Sequence, residues 1–187
     1  VAKHCKVVQS GQGADEVFGG YHWYPLVDGA EDPVAAYLAA FRDRSYEEYA
    51  QTMQQQWVQG DFSGDFVRRH FAQPGAEAAV DKALRIDSTV MLVDDPVKRV
   101  DNMTMAWGLE ARTPFLDYRV AELSARIPAK FKLPEGGKYV LKEAARQVIP
   151  AAVIDRPKGY FPVPGLKHLQ GAPLNWVREM LLDPSQE

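Results

Sequence analysis

Apolar and polar positions follow a helical period along most of this chain. After Asp32, an N-cap, and Pro33, a first-turn proline, the apolar residues Val34, Tyr37, Leu38 and Phe41 recur at every third or fourth position. Ser45 and Glu48 have capping-box spacing. Behind them Tyr46, Tyr49, Ala50, Met53 and Trp57 form one apolar stripe, expected to pack as core. Residues 60–64 read as a loop and Pro74-Gly75 as a second break. Residues 76–92 are helical again, with Val80, Ala83, Leu84, Val90 and Met91 facing inward. Asp87 lies near that face and is expected to be a paired or capping carboxylate. Asp94-Asp95-Pro96 reads as a new helix start, followed by Val97, Val100, Met103, Thr104 and Trp107 and closed near Gly108. Residues 112–117 read as an ordered loop. Helices are predicted over residues 120–127 and 138–149, each stopped by a proline, with the turn Pro134-Glu135-Gly136-Gly137 between them. Residues 157–165 should be irregular, and a last helix runs over 173–182.

Only residues 6–9 read as a strand. A lone strand is not stable as a sheet, so its partners are expected upstream, and its open edge leaves room for a homodimer. The chain thus reads as a mainly α-helical fragment with one N-terminal strand. Its beginning, Val1-Ala2-Lys3-His4, has neither an initiator Met nor the apolar stretch of a signal peptide, so it is expected to be an internal piece of a longer protein.

Composition narrows the function classes. The 187 residues suffice for a sizeable core, and 46% hydrophobic with 25% charged residues is ordinary for a globular protein. A net charge of -3 gives no electrostatic case for nucleic acid. No apolar run approaches the roughly 20 residues of a membrane span. One cysteine, Cys5, excludes an internal disulfide and suits a reducing cytoplasm. With four histidines scattered, no zinc-ligand spacing is present.

Three segments carry charges that packing does not require. The first is Ser10-Gly11-Gln12-Gly13-Ala14-Asp15-Glu16-Val17-Phe18-Gly19-Gly20-Tyr21, directly after the strand. Backbone N–H groups around Gly11 and Gly13 could face a nucleotide, and Asp15 and Glu16 could hold Mg²⁺. A simple glycine turn with dipole-favoured acids fits the same residues. The second runs from Lys98-Arg99-Val100-Asp101-Asn102-Met103 to Leu109-Glu110-Ala111-Arg112-Thr113-Pro114-Phe115-Leu116-Asp117. Asp101, Glu110 and Arg112 could form a buried Arg–carboxylate network or recognise a substrate. The third is Asp155-Arg156-Pro157-Lys158-Gly159-Tyr160, where Lys158 is either a solvated loop lysine or an ammonium held for a leaving pyrophosphate.

In this order, the three segments resemble the synthetase domain of the glutamine-hydrolysing (class B) asparagine synthetases, over nearly the whole chain. The resemblance implies the C-terminal part of an α/β ATP-pyrophosphatase (adenine nucleotide α-hydrolase-like) domain spanning residues 1–187. It implies an ATP- and Mg²⁺-dependent amidotransferase that adenylates a carboxylate and amidates it with glutamine-derived ammonia, giving AMP and pyrophosphate. Ser10 and Gly11 would contact ATP, Asp15 would bind Mg²⁺–pyrophosphate with Glu16, and Lys158 would stabilise charge growing on pyrophosphate. Asp101, Glu110 and Arg112 would shape or support the acceptor pocket.

Two departures from the family pattern matter. Gln12 stands where the family usually has an acid; it carries no charge and cannot act as a base. With the loop Tyr21-His22-Trp23-Tyr24-Pro25, it is similar to the branch that amidates the dipeptide N-acetylglutaminylglutamine rather than aspartate. The family's Ser-Gly-Gly-x-Asp-Ser pyrophosphate loop and its glutaminase cysteine are not in this sequence, so these 187 residues alone are expected to be inactive. Rival readings are a non-catalytic helical interaction module and a β-lactam-forming synthetase.

Overall fold

The computed structural model describes residues 1–157 and 169–183. They fall into two units, Val1–Ile149 and Pro150–Glu187. The first begins with β1 (Val7–Gln9), α1 (Ala14–Phe18), α2 (Tyr24–Val27), α3 (Pro33–Phe41), α4 (Tyr46–Thr52), α5 (Phe62–Ala72) and α6 (Ala79–Ile86). It continues through α7 (Lys98–Met105), β2 (Glu110–Arg112), α8 (Tyr118–Ala125) and α9 (Tyr139–Ala145). The second unit holds α10 (Ala151–Ile154) and α11 (Ala172–Leu182). No described helix is long and apolar enough to cross a membrane.

The strand is not without a partner, contrary to the sequence reading. β1 pairs in parallel with β2, in the register Val7 to Glu110, Val8 to Ala111 and Gln9 to Arg112. The ladder extends at both ends: Glu110 N donates to Lys6 O at 2.9 Å and Ser10 N to Arg112 O at 2.8 Å. Parallel strands need a crossover, and here all the helices from α1 to α7 supply it. Glu-Ala-Arg has no strand signature of its own, so pairing rather than propensity makes it a strand.

Capping chemistry starts the helices much as their sequences require. Asp32 accepts from Ala35 N at 3.0 Å ahead of α3, and both halves of the Ser45–Glu48 capping box form ahead of α4. Phe62, Ser63 and Gly64, expected in a loop, instead open α5, because Asp61 caps it through Gly64 N at 3.0 Å. Asp61 also pairs with Arg42 at 2.6 Å.

Two further expectations fail. None of the residues of α4 is buried, and Trp57 is 59% exposed, so the aromatic stripe is not core within the described residues. The helix is only seven residues long and ends before Met53, so the stripe has no continuous face to bury. Asp94-Asp95-Pro96 does not start a helix either. Helical backbone runs from α6 to α7 through two π-helical stretches, Asp87–Met91 and Val93–Val97, with Pro96 inside the second. Wider π turns absorb a proline that has no N–H to give.

The core gathers Tyr24, Val27, Tyr37, Val67, Phe71 and Val80 from α2, α3, α5 and α6. At its centre is Asp87, fully buried. Its carboxylate accepts from Trp23 Nε1 at 3.0 Å and from the Tyr37 hydroxyl. Burial pushes its pKa up, while these hydrogen bonds favour the charged form. The buried Tyr24 hydroxyl beside it makes no well-formed hydrogen bond. The structural role expected of Asp87 is what the fold gives it.

Asp87→Ala leaves the buried Tyr37 hydroxyl and the part-buried Trp23 N–H unpaired and should lower stability by about 3 kcal/mol, read from denaturant unfolding. A second outcome concerns Asp117, the N-cap of α8, which accepts from Arg119 Nε at 2.9 Å, from its terminal nitrogen at 2.9 Å and from Arg119 N at 3.0 Å. The Arg119 hydrogen bonds pull its pKa from 3.8 to about 2. A carboxylate lowered on folding stabilises fully above its unfolded pKa and loses that contribution as pH falls through the folded one. Asp117→Asn should therefore flatten the dependence of stability on pH between about 4 and about 2, as followed by acid titration of unfolding.

Candidate functional site

Where β1 ends, residues 10–13 turn sharply into α1. Gly13 sits at φ 89°, and a side chain there would collide with Leu116, so the turn Pro114–Leu116 beyond β2 presses on the loop. Gly11, by contrast, faces open space. Ser10 Oγ accepts from Gln12 N at 3.4 Å, at the edge of hydrogen-bond range. Farther along, a side chain at Gly20 would strike the Asp15 carboxylate, and one at Gly137 the Gly19 carbonyl. The glycines of the opening motif thus meet the turn before α9 at contact distance.

That contact delivers a lysine. Glu135, Gly136, Gly137 and Lys138 all adopt positive φ, at 53°, 78°, 92° and 57°. Such a run in two non-glycine residues is strained backbone held by its surroundings. Lys138 N donates to Phe18 O at 3.2 Å, and its Nζ pairs with Asp15 Oδ1 at 2.7 Å. Both side chains are about a quarter exposed, at 28% and 25%. The sequence reading missed Lys138. The available signal was a lysine directly after Gly136-Gly137 at a helix N-terminus, where the helix dipole disfavours a cation unless a carboxylate meets it.

Glu16 does not join Asp15. It is 3% exposed, and its carboxylate accepts from the Tyr21 hydroxyl at 2.6 Å. Successive helix residues point in different directions, so one acid of the pair reaches the loop and the other the interior. Burial, with Glu16 next, pushes the Tyr21 phenol far up. Among the described residues no group of three His, Cys, Asp or Glu could hold a metal. Asp15 alone, with phosphate oxygens and water completing the shell, remains a chemically adequate Mg²⁺ ligand.

Gln12 and Asp101 share a cavity of about 340 Å³, with Asp94, Val97, Ala111 and Thr113. Gln12 Nε2 donates to Pro96 O at 2.7 Å, and its Oε1 is buried without a partner among the described residues. Gln12 therefore clamps the π-helical turn around Pro96.

Glu110 and Arg112 lie elsewhere. They pair with each other at 2.9 Å and are 57% and 61% exposed, so the buried network read from the sequence does not form. Strand residues two apart share one face, opposite to Ala111, which lines the Gln12–Asp101 cavity. The hydrogen bond from Arg112 lowers the Glu110 pKa and raises that of Arg112, but an ion pair this exposed contributes little stability. Lys158 lies outside the described residues.

The asparagine synthase family model matches residues 1–187, and the chain belongs to that family. It is 29% identical over 214 residues to asparagine synthetase [glutamine-hydrolyzing] 1 of Bacillus subtilis (strain 168), covering 96% of this chain and 34% of that protein. It is 30% identical over 215 residues to a putative asparagine synthetase [glutamine-hydrolyzing] of Mycobacterium tuberculosis, covering 94% of this chain and 32% of that one. Against human asparagine synthetase [glutamine-hydrolyzing] it is 35% identical over 92 residues, or 47% of this chain and 16% of the human protein. The chain spans about a third of the length of the first two relatives. No solved structure matches it.

The Gln12–Pro96 clamp makes a pH-dependent forecast. A carboxylate cannot donate to a carbonyl, so Gln12→Glu should cost about 1–2 kcal/mol near neutral pH. Part of that loss should return below about pH 4, where a protonated Glu donates again. Thermal unfolding of the variant at the two pH values measures it.

Proposed function

We propose that the protein containing this chain activates a carboxylate with ATP·Mg²⁺ and converts it to an amide with ammonia drawn from glutamine. The observation that carries this reading is the Asp15–Lys138 pair at 2.7 Å beside a glycine turn at the C-terminal end of a parallel strand. Ligands of open α/β sheets bind at that end. The family membership and the names of the relatives support the amidotransferase chemistry.

In this reading Ser10 and Gly11 border ATP, the open space at Gly11 admitting its close approach. Asp15 holds Mg²⁺, which supplies neutralisation of phosphate charge. Lys138, already on Asp15, fixes that carboxylate and adds positive charge for the departing pyrophosphate. A carboxylate oxygen of the acceptor attacks the α-phosphorus and pyrophosphate leaves. Ammonia then attacks the acyl carbon, AMP leaves, and a proton is lost from nitrogen. The Gln12–Asp101 cavity takes the acceptor. Its uncharged Gln12, standing where an acid is usual by the resemblance, favours N-acetylglutaminylglutamine over aspartate.

The test uses the full-length protein with ATP, Mg²⁺ and glutamine, and either aspartate or N-acetylglutaminylglutamine, measuring AMP, pyrophosphate and amide. Amide should form from the dipeptide, and Asp15→Asn and Lys138→Met should each lower turnover by about 100-fold or more while glutamine hydrolysis continues. Robust asparagine synthesis would sink the dipeptide acceptor. Full turnover in Asp15→Asn would sink the whole reading.

A further inference from the structure

A cavity of about 370 Å³ lies among α1, α6 and α8, and it shares no lining residue with the Gln12–Asp101 cavity. Val17, Leu84, Ala121 and Ala125 give it an apolar surface. Lys132 lines it too, only 2% exposed. Its ammonium makes no hydrogen bond or ion pair among the described residues; burial pushes its pKa down, and the Asp81 charge offsets this from beyond ion-pair distance. A buried ammonium without a partner is expensive, and a fold that retains one leaves a charge for something else to meet.

The other polar groups around this space differ in burial and in partners, with Asp81 partly exposed and Glu77 exposed. Arg85 spends its terminal nitrogens on the carbonyls of Pro74, His70 and Gln73, but its Nε is buried with no partner. Asp81 and Glu77 carry carboxylates that accept no hydrogen bond and form no ion pair among the described residues. Glu16 also borders the cavity, with its carboxylate engaged by Tyr21. Three carboxylates thus face two cations, so a phosphate-like anion meets net repulsion. The partnerless Lys132 ammonium, the Asp81 and Glu77 carboxylates that solvent reaches and the apolar lining together call for a ligand that accepts at one end and donates at the other, with an apolar part.

We propose that this cavity binds a small free α-amino acid, with its carboxylate on Lys132, its ammonium on Asp81 and Glu77, and its side chain against Leu84 and Ala121. The site is separate from the proposed amidation chemistry and does not depend on it. The ligand's carboxylate meets an ammonium that folding has already desolvated, so most of the cost of burying Lys132 is met before binding.

L-valine is a suitable probe because it has no side-chain carboxylate or amide. Calorimetric titration of the full-length protein, without ATP or glutamine, should show a single saturable site for L-valine and none for inorganic phosphate. Lys132→Met, which keeps the stem and removes the charge, and Asp81→Asn, at the partly exposed rim, should each weaken binding by about tenfold or more. Melting temperatures of both variants, and the Asp81→Asn arm in particular, separate lost binding from lost folding. Absence of saturable valine binding overturns the proposal, as does binding unchanged by either variant. Weakening by only one of the two, or phosphate binding at the site, marks a simple ion site and overturns it equally.

Discussion

The candidate site depends on three residues of β1 lying beside three residues of β2 in one fixed register. The pairing joins two segments roughly a hundred positions apart in the chain, and almost everything near the site is set by it. It places the turn Pro114–Leu116 against Gly13, which forces the loop into α1 through a left-handed glycine. It directs Ala111 to the Gln12 cavity and sends Glu110 and Arg112 to the other face. A slip of one residue would reverse that assignment, because side chains alternate along a strand.

Four carboxylates show how position, rather than residue type, decides chemistry. Asp87 is buried among hydrogen-bond donors and ties α2 and α3 to the long helix. Glu16 is nearly as buried but serves a single phenol. Asp15, its neighbour in sequence, reaches a part-exposed lysine across a glycine contact. Asp117 is a cap whose guanidinium partner holds it ionised well into acid. Only Asp15 combines partial exposure with a lysine brought to it from a distant turn.

The long helix is the second organising element. Its passage through Pro96 needs wider turns, and Gln12 satisfies the Pro96 carbonyl from outside. A neutral amide at position 12 therefore has a structural reason, since that bond needs a side chain that donates and an ionised carboxylate cannot.

Local signals were legible wherever one segment contains both partners of an interaction. The Asp32 cap, the Ser45–Glu48 box, the apolar face around Val80 and Leu84, and the glycine–acid motif are all of this kind. β2, the pairing of Lys138 with Asp15, the exposure of α4 and the continuity of helix through Pro96 were not legible. Each depends on a partner distant in sequence or on a face with nothing to cover it. The sequence by itself determined the helical character, the main caps and the family, because those follow from short-range sterics, hydrogen bonding and motif order. Only the tertiary structure decided which acid of Asp15 and Glu16 meets a cation, where Gln12 donates, and that Lys132 stands buried and unpaired. Those outcomes turn on distances between elements, which spacing along a chain does not encode.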